Sequence, residues 1–159
     1  MPSAAVHDLA VLLVHAGLVA VGAWLVVIDA RTHRLPNRIV LPLLGALVLL
    51  VVGEGVATGD GGRMLRSLLG GLVLSVCYAV MRAASRQGVG GGDVKLAAVI
   101  GLVLSRHGWA TLVIGSAAAF LLGALFALTL MLLRRADRST RIAFGPWMIL
   151  GAVLAIAAT

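Results

Sequence analysis

Long apolar runs separated by short polar segments make up most of the chain. The runs span residues 9–28, 39–56, 67–81, 94–104, 109–133 and 142–158. A helix needs about 20 apolar residues to cross the ~30 Å hydrocarbon core of a bilayer. The pattern therefore predicts an all-α polytopic membrane protein with about six transmembrane helices, of which the third and fourth are short. A start at Arg63 or Met64 is the alternative for the third.

The composition supports a membrane protein and excludes a water-soluble domain. Of the 159 residues 61% are hydrophobic and 12% charged, and the mean hydropathy is +1.09. A chain of this length cannot bury so much apolar surface in water. We predict a single membrane-embedded domain, residues 1–159, surrounded by lipid. The net charge of +7 is better explained by membrane topology than by nucleic-acid binding, so no nucleic-acid partner is expected.

The basic residues alternate between the predicted loops. Ten of the 13 lie in or at the edge of the first, third and fifth loops, and three lie in the second and fourth. The first group is Arg31, Arg34, Arg38, Arg82, Arg86, Lys95, Arg134, Arg135, Arg138 and Arg141; the second is Arg63, Arg66 and Arg106. By the positive-inside rule the odd loops are cytoplasmic and both termini lie outside.

A glycine-rich stretch, residues 88–92, leads into Asp93 and the short fourth run. A helix over 94–105 rises about 18 Å, less than the hydrocarbon thickness. The glycines, or a thinner bilayer, must make up the difference. If the glycines enter the membrane, Asp93 lies below the cytoplasmic surface at a helix N-terminus, which stabilises its charge, and an aqueous pocket must surround it. The alternative is a cytoplasmic loop in which Asp93 is simply solvated.

A second acid, Asp29, follows the first apolar run directly, at its predicted cytoplasmic end. Two carboxylates that share one pocket do not both ionise easily, and they titrate as a pair. One member can then activate a water while the other protonates a carbonyl oxygen. The alternative is that Asp29 pairs with Arg31 or Arg34. The remaining acids lie on the predicted outer side (Asp8, Glu54, Asp60) or among arginines (Asp137).

Three elements in this order resemble a known family. They are Asp29 followed by a basic stretch and Leu35-Pro36-Asn37, then Gly90-Gly91-Gly92-Asp93-Val94-Lys95-Leu96, then Phe144-Gly145-Pro146. Together they resemble the type IV prepilin peptidases, the Gly-x-Gly-Asp membrane aspartyl proteases, from about Trp24 to the end of the chain. Gln87 departs from the Glu that many members carry, and Ala143 from a common Pro.

The resemblance implies that Asp29 and Asp93 are the catalytic pair, which activates a water and cleaves a peptide bond without an acyl-enzyme. It also implies a substrate-binding or site-shaping role for Pro36, Asn37, Gly90, Gly92, Lys95, Phe144, Gly145 and Pro146. Alternatives remain for several of them. Lys95 also fits a cytoplasmic anchor, the glycines a plain linker, and Phe-Gly-Pro an ordinary proline kink in the last helix. No metal site and no cofactor are expected.

The implied substrate is a prepilin or pseudopilin, with a basic leader, a glycine and an apolar helix, cut after the glycine on the cytoplasmic side. The implied location is the inner (cytoplasmic) membrane, with the active site facing the cytoplasm. Pilus or secretion-system assembly proteins are candidate partners. Bifunctional members carry a zinc domain with two Cys-x-x-Cys pairs that accompanies N-methylation. With Cys77 as the single cysteine, the short, peptidase-only form is expected.

Two other classes of function use the same features. A small proton- or cation-coupled transporter or channel subunit would use the two acids to relay protons or bind a cation. A non-catalytic component of a pilus or secretion machine would use neither. Separate Asp29→Asn and Asp93→Asn substitutions distinguish them, because only a peptidase loses leader cleavage with either change.

Overall fold

The computed structural model describes residues 37–84, 90–134 and 144–159, and all regular secondary structure within them is α-helical. The helices are α1 (Asn37–Thr58), α2 (Gly61–Ala84), α3 (Gly91–His107), α4 (Trp109–Leu132) and α5 (Gly145–Ala158). The all-α prediction is confirmed for these residues. The first predicted span, residues 9–28, lies outside them, so the count of six spans and the outward termini stay predictions.

Three of these helices are long and apolar enough to cross a membrane, judged by length and composition: α1 from Val40, α2 and α4. Helix α2 is longer than the apolar run 67–81 that predicted it. Its extension begins at a cap, where the Asp60 carboxylate accepts a hydrogen bond from the Arg63 backbone N–H at 2.9 Å. An acidic side chain there satisfies a backbone donor that has no partner within the helix.

Helix α3 is the centre of the bundle, although it is one of the two short helices. It packs against each of the other four, and nine of its 17 residues are buried. It begins at Gly91, three residues before the predicted start at 94, and ends at His107. Gly108 follows with φ +149°, a conformation that glycine adopts without steric cost. The chain therefore reverses there into α4 without a longer loop.

Glycines bring neighbouring helices into close contact. Gly101 of α3 packs against the backbone of Gly70 and Gly71 of α2, and Gly151 of α5 packs against the backbone of α4 at Gly115. Helices in a membrane associate through such small residues, because lipid provides no hydrophobic drive to bring them together. Large apolar side chains on α2 and α4, among them Leu72 and Leu121, stay exposed on the outside of the bundle, as expected for surfaces that contact lipid.

Candidate functional site

Asp93 lies in the first turn of α3 and is 8% exposed. Its Oδ2 atom accepts a hydrogen bond from the Gly90 backbone N–H at 3.0 Å, across the start of the helix. The N-terminal end of a helix carries partial positive charge and stabilises a carboxylate. This local arrangement explains how an ionisable group is accommodated within an otherwise apolar bundle.

The register between α2 and α3 shows how deep Asp93 lies. The two helices are antiparallel, and their backbones contact each other at Gly70 and Gly101. Tyr78 follows Gly70 by eight residues along α2, and Asp93 precedes Gly101 by eight residues along α3. Tyr78 and Asp93 therefore lie at the same level of the bundle. Helix α2 continues to Ala84, six residues or about 9 Å beyond that level at 1.5 Å per residue.

The start of α5 lies at a similar depth. Phe144, directly before α5, packs its ring against Gly123 in α4 and against the Tyr78 ring. Helix α4 runs on to Leu132, about 13 Å beyond Gly123. The two short helices, α3 and α5, therefore begin below the ends of the two long ones, α2 and α4. From these unequal ends of the described helices we infer a recess with Asp93 at its floor.

Three aromatic rings pack together beside Asp93. Tyr78 stacks on Phe120 of α4, with ring centroids 5.7 Å apart, and Phe144 contacts both rings at 6.1 and 5.2 Å. Tyr78 is 1% exposed, and its phenol is within electrostatic reach of the Asp93 carboxyl. We call these three residues the aromatic cluster.

The two predicted glycines lie at the start of α3. Gly90 immediately precedes α3 in an extended conformation, and Gly92 lies in its first turn with Asp93. The idea of a flexible glycine linker up to Asp93 is therefore wrong for Gly91 and Gly92. Lys95 is partly buried on the same helix, two residues after Asp93, a spacing at which side chains do not face each other.

The Phe-Gly-Pro element has a different local role from a kink. Pro146 lies in the first turn of α5, where its missing N–H has no helical acceptor to lose. The element therefore begins a helix, and the alternative of a proline kink within the last helix is wrong for the described residues. Gly145 is buried, and the Phe144 ring packs against the Tyr78 ring; a site-shaping role for the two residues stays a prediction.

Other predicted site residues lie at or beyond the edge of the described ranges. Asn37 is the first residue of α1. Asp29 and Pro36 lie outside the described residues, so the pairing of Asp29 with Asp93 stays a prediction. Sequence reasoning missed Tyr78 and Phe120. The available signal was that Tyr78 is the single tyrosine of the chain and lies within an apolar run.

A second polar group of residues lies at the opposite end of α3. Arg106 forms a two-pronged ion pair with Glu54 of α1, and Arg66 of α2 donates to the backbone carbonyls of Ser105 and Arg106 at 2.8 and 3.1 Å. A cavity of about 10 Å³ lies beside them, large enough for about one water. A space of this size does not admit a peptide.

The family model and the related proteins that match this chain indicate the same family. A family model described as "Type IV leader peptidase family" matches residues 4–128, a range that includes positions 29 and 93. The chain is 37% identical over 131 residues to a protein of Aeromonas salmonicida (strain A449) named "Prepilin leader peptidase/N-methyltransferase". That alignment covers 81% of this chain and 43% of the relative. No solved structure matches.

Two further relatives carry the same name. The chain is 34% identical over 128 residues to the protein of Escherichia coli (strain K12), covering 80% of this chain and 55% of the relative. It is 32% identical over 148 residues to that of Pseudomonas aeruginosa, covering 92% and 48%. The chain thus spans about half the length of the curated relatives that it matches.

Proposed function

The chain belongs to the type IV leader peptidase family, and we propose that it is an aspartic-type membrane endopeptidase that removes the leader from prepilins or pseudopilins. The proposal concerns hydrolysis of the peptide bond alone. The family match is the single observation that carries it. The buried carboxylate of Asp93 at the floor of a recess supports it, because an ionisable group inside an apolar bundle usually serves function.

In the proposed mechanism Asp29 and Asp93 share one proton. The ionised member removes a proton from a water, whose oxygen attacks the carbonyl carbon of the scissile bond. The protonated member gives its proton to the carbonyl oxygen. The tetrahedral intermediate then collapses: the C–N bond breaks as the leaving amine takes the proton of the protonated carboxyl, and one hydroxyl of the intermediate gives its proton to the ionised carboxyl as the carbonyl re-forms. The two carboxyls end as they began, with one proton between them.

The recess supplies what this chemistry needs. Its proposed walls are the long helices α2 and α4, which would keep lipid from the sides of the Asp93 carboxyl, and that residue is 8% exposed. Non-helical backbone of a bound peptide is tolerated at membrane depth only in such a lined cavity. Of the site-shaping residues, Gly90 places its N–H on Asp93, and Phe144 packs beside it. Pro36, Asn37, Gly92, Lys95, Gly145 and Pro146 are proposed to shape the surroundings.

The charge distribution supports a cytoplasmic site in the inner membrane. The end of the bundle at which the recess opens carries Arg38, Arg82, Lys95 and Arg134 among the described residues, and no described acid other than Asp93. The opposite end carries Glu54 and Asp60 beside its arginines. In the sequence, ten of the 13 basic residues lie in or at the edge of the odd loops, and by the positive-inside rule we propose that the end with the recess faces the cytoplasm, where the leader of a prepilin lies in the proposed reaction.

The test is cleavage of a prepilin by the full chain reconstituted in lipid vesicles. The substrate has a basic leader, a glycine and an apolar helix, and the products are identified by mass spectrometry. Asp29→Asn and Asp93→Asn should each lower the cleavage rate at least about 100-fold, the smaller end of what a general acid or base contributes. Asp60→Asn, at the opposite end of the bundle, is the matched control and should cleave like the wild type.

Two results contradict the proposal. One is undiminished cleavage by either variant, which removes the residue from the mechanism. The other is no cleavage by the wild type together with a proton- or cation-coupled flux that depends on the same acids. The second result would favour the transporter, which family membership does not.

A further inference from the structure

We propose that Arg82 binds the carboxylate that cleavage leaves at the end of the leader peptide. The ligand class is a peptide with a free C-terminal carboxylate, held by parallel N–H donors of the guanidinium. The inference deepens the proposed function and rests on it for the origin of that ligand. The site itself follows from where the Arg82 side chain lies, from its unused donors and from the charges around it.

The first argument is position. The Arg82 guanidinium of α2 lies against Gly91, the first residue of α3. Asp93 follows two residues later, about 3 Å along the helix axis. Side chains on a helix tilt towards its N-terminus, which for α2 is the end opposite the recess. The guanidinium is therefore directed into the recess, towards the level of Asp93, and not outwards to the end of α2.

The second argument is unused binding capacity. A guanidinium presents five N–H donors in one plane. Within the described ranges Arg82 forms no ion pair and donates no hydrogen bond, and the residue is exposed. At the opposite end of the bundle, Arg66 and Arg106 use their donors on backbone carbonyls and on a carboxylate. The donors of Arg82 are thus available to a ligand that enters the recess.

The third argument is charge. Hydrolysis adds the oxygen of a water to the carbonyl of the leader's last residue, and the resulting carboxyl is ionised at neutral pH. It forms next to Asp93, and two carboxylates placed together repel each other. A guanidinium at this place offsets that repulsion, and its planar fork matches the two oxygens of a carboxylate. The uncleaved substrate presents a neutral amide there and gains less, so Arg82 favours the product.

A phospholipid headgroup is another source of an anion for an arginine near the end of a helix. Headgroups lie at the membrane surface, and arginines near helix ends usually extend towards them. The Arg82 guanidinium extends the opposite way, against the start of α3, and α2 continues for two residues beyond Arg82. These observations favour a peptide carboxylate inside the recess over a lipid phosphate at its rim.

The site is tested by binding, without cleavage. Two synthetic basic leaders, one ending at glycine as the free carboxylate and one as the amide, are titrated against the full chain in phosphatidylcholine nanodiscs at pH 7. Fluorescence anisotropy gives the dissociation constants. The carboxylate form should bind the wild type about 10- to 100-fold more tightly, the range for a hydrogen bond to a charged group. Equal dissociation constants, or no saturable binding of the carboxylate form, overturn the inference.

Two substitutions of Arg82 and one control identify the residue responsible. Arg82→Gln should abolish the preference for the carboxylate form. Arg82→Lys should retain part of it, because lysine keeps the charge without the planar fork. Arg134→Gln removes a charge at the same end of the bundle and should keep the wild-type ratio. An equal fall of the ratio in Arg82→Gln and Arg134→Gln would indicate general attraction by the basic end, which contradicts a site at Arg82.

A substitution that changes no charge tests the position of the guanidinium. A Cβ atom on Gly91 would overlap its Nη1 atom, so Gly91→Ala should push the guanidinium away from the start of α3. The carboxylate form should then lose most of its advantage, while the amide form binds as before. The obstacle is the tip of a flexible side chain, so thermal unfolding should stay close to that of the wild type. An unchanged ratio in a folded Gly91→Ala variant overturns the inference.

Leader cleavage separates this inference from the proposed function. In vesicles, the carboxylate leader should inhibit prepilin cleavage more strongly than the amide leader, and Arg82→Gln should remove that difference. If the wild type cleaves and both leaders inhibit equally, the function stands and the inference fails. If the wild type cleaves no prepilin, the proposed function fails, and the binding ratio still decides whether Arg82 holds a peptide carboxylate.

A change of lipid decides between the two sources of the anion. Adding phosphatidylglycerol to the nanodiscs should leave the ratio of the two dissociation constants unchanged, because headgroups do not reach the guanidinium in the recess. A ratio that disappears with this anionic lipid would assign Arg82 to lipid headgroups, and this contradicts the inference.

Discussion

Gly101 of α3 and Gly70 of α2 lie so close that a Cβ atom on Gly101 would overlap the Gly70 carbonyl oxygen. The same atom would be 2.8 Å from the Cα of Gly71. Both obstacles are backbone, so neither can move aside as the tip of a side chain can. The register that places Asp93 beside Tyr78 thus depends on the absence of a single methyl group.

Gly101→Ala should therefore destabilise the bundle by about 1–3 kcal/mol, the usual cost of overpacking, despite the better helix propensity of alanine. Unfolding in detergent micelles, by heat or by added SDS, measures the loss. Gly45→Ala on α1 is the matched control, because a Cβ there meets nothing within 4 Å. Equal stabilities for the two variants would show that the helices can separate without cost.

Arg66 secures the far end of α3. Its guanidinium donates to the backbone carbonyls of Ser105 and Arg106, two acceptors of the last turn that the helix itself cannot satisfy. Arg66→Ala should cost about 1–3 kcal/mol, as expected for charged hydrogen bonds. Arg66→Lys keeps the charge but not the planar fork, and we expect it to recover part of the loss. A lysine variant as stable as the wild type would mean that charge alone is sufficient.

The ion pair between Glu54 and Arg106 should stabilise the bundle more than the pair between Asp60 and Arg63. The side chains of the first pair are 32% and 29% exposed, and those of the second 44% and 52%. Exposed pairs contribute about 0.2–1 kcal/mol, whereas two-pronged arginine–carboxylate pairs are stronger. Two double-mutant cycles with glutamine substitutions measure both coupling energies. The prediction fails if the exposed pair has the larger coupling, or if added salt weakens both to the same extent.

Gly123 of α4 determines where the Phe144 ring lies, since a Cβ on Gly123 would be 2.8 Å from its Cε2 atom. Gly123→Ala should displace the ring, and through it Tyr78. We expect leader cleavage to fall by up to about 100-fold, because small misplacements near a reacting centre are costly.

A second substitution checks the cause of that effect. In a Phe144→Leu background the methyl group added by Gly123→Ala has more room, so this change should have little effect there. Additive effects of the two substitutions would indicate that Gly123 acts by some route other than the Phe144 ring.

Much of the fold follows from hydropathy alone. The runs 39–56 and 109–133 became α1 and α4 within two residues, because long apolar segments with few charges have one stable structure in lipid. The runs 67–81 and 94–104 predicted helices that are too short. Each helix extends through polar or glycine residues, from Asp60 in one case and from Gly90 in the other. Hydropathy does not report capping bonds of this kind, which depend on the local geometry of the chain.

For the candidate site, the sequence motifs indicated Asp93 and Phe144 as site residues, but they did not indicate the aromatic side chains of Tyr78 and Phe120. Tyr78 and Phe120 come from different helices, and their meeting depends on the register between helices. That register is determined by Gly70 and Gly101, whose contact has no signature in a single sequence beyond their small size. The sequence also suggested a kink at Pro146, since a proline between apolar residues is compatible with either a kink or a helix start.

The unequal helix ends also constrain any peptide that reaches Asp93. An extended chain covers about 3.3–3.6 Å per residue, so the ~9 Å between the end of α2 and the carboxyl corresponds to roughly three residues of unwound backbone. A pilin precursor that stayed helical up to its cleavage point would stop short of the recess floor. Cleavage would then depend on how readily those few residues melt, so helix-breaking residues next to the scissile bond would govern which precursors are processed quickly.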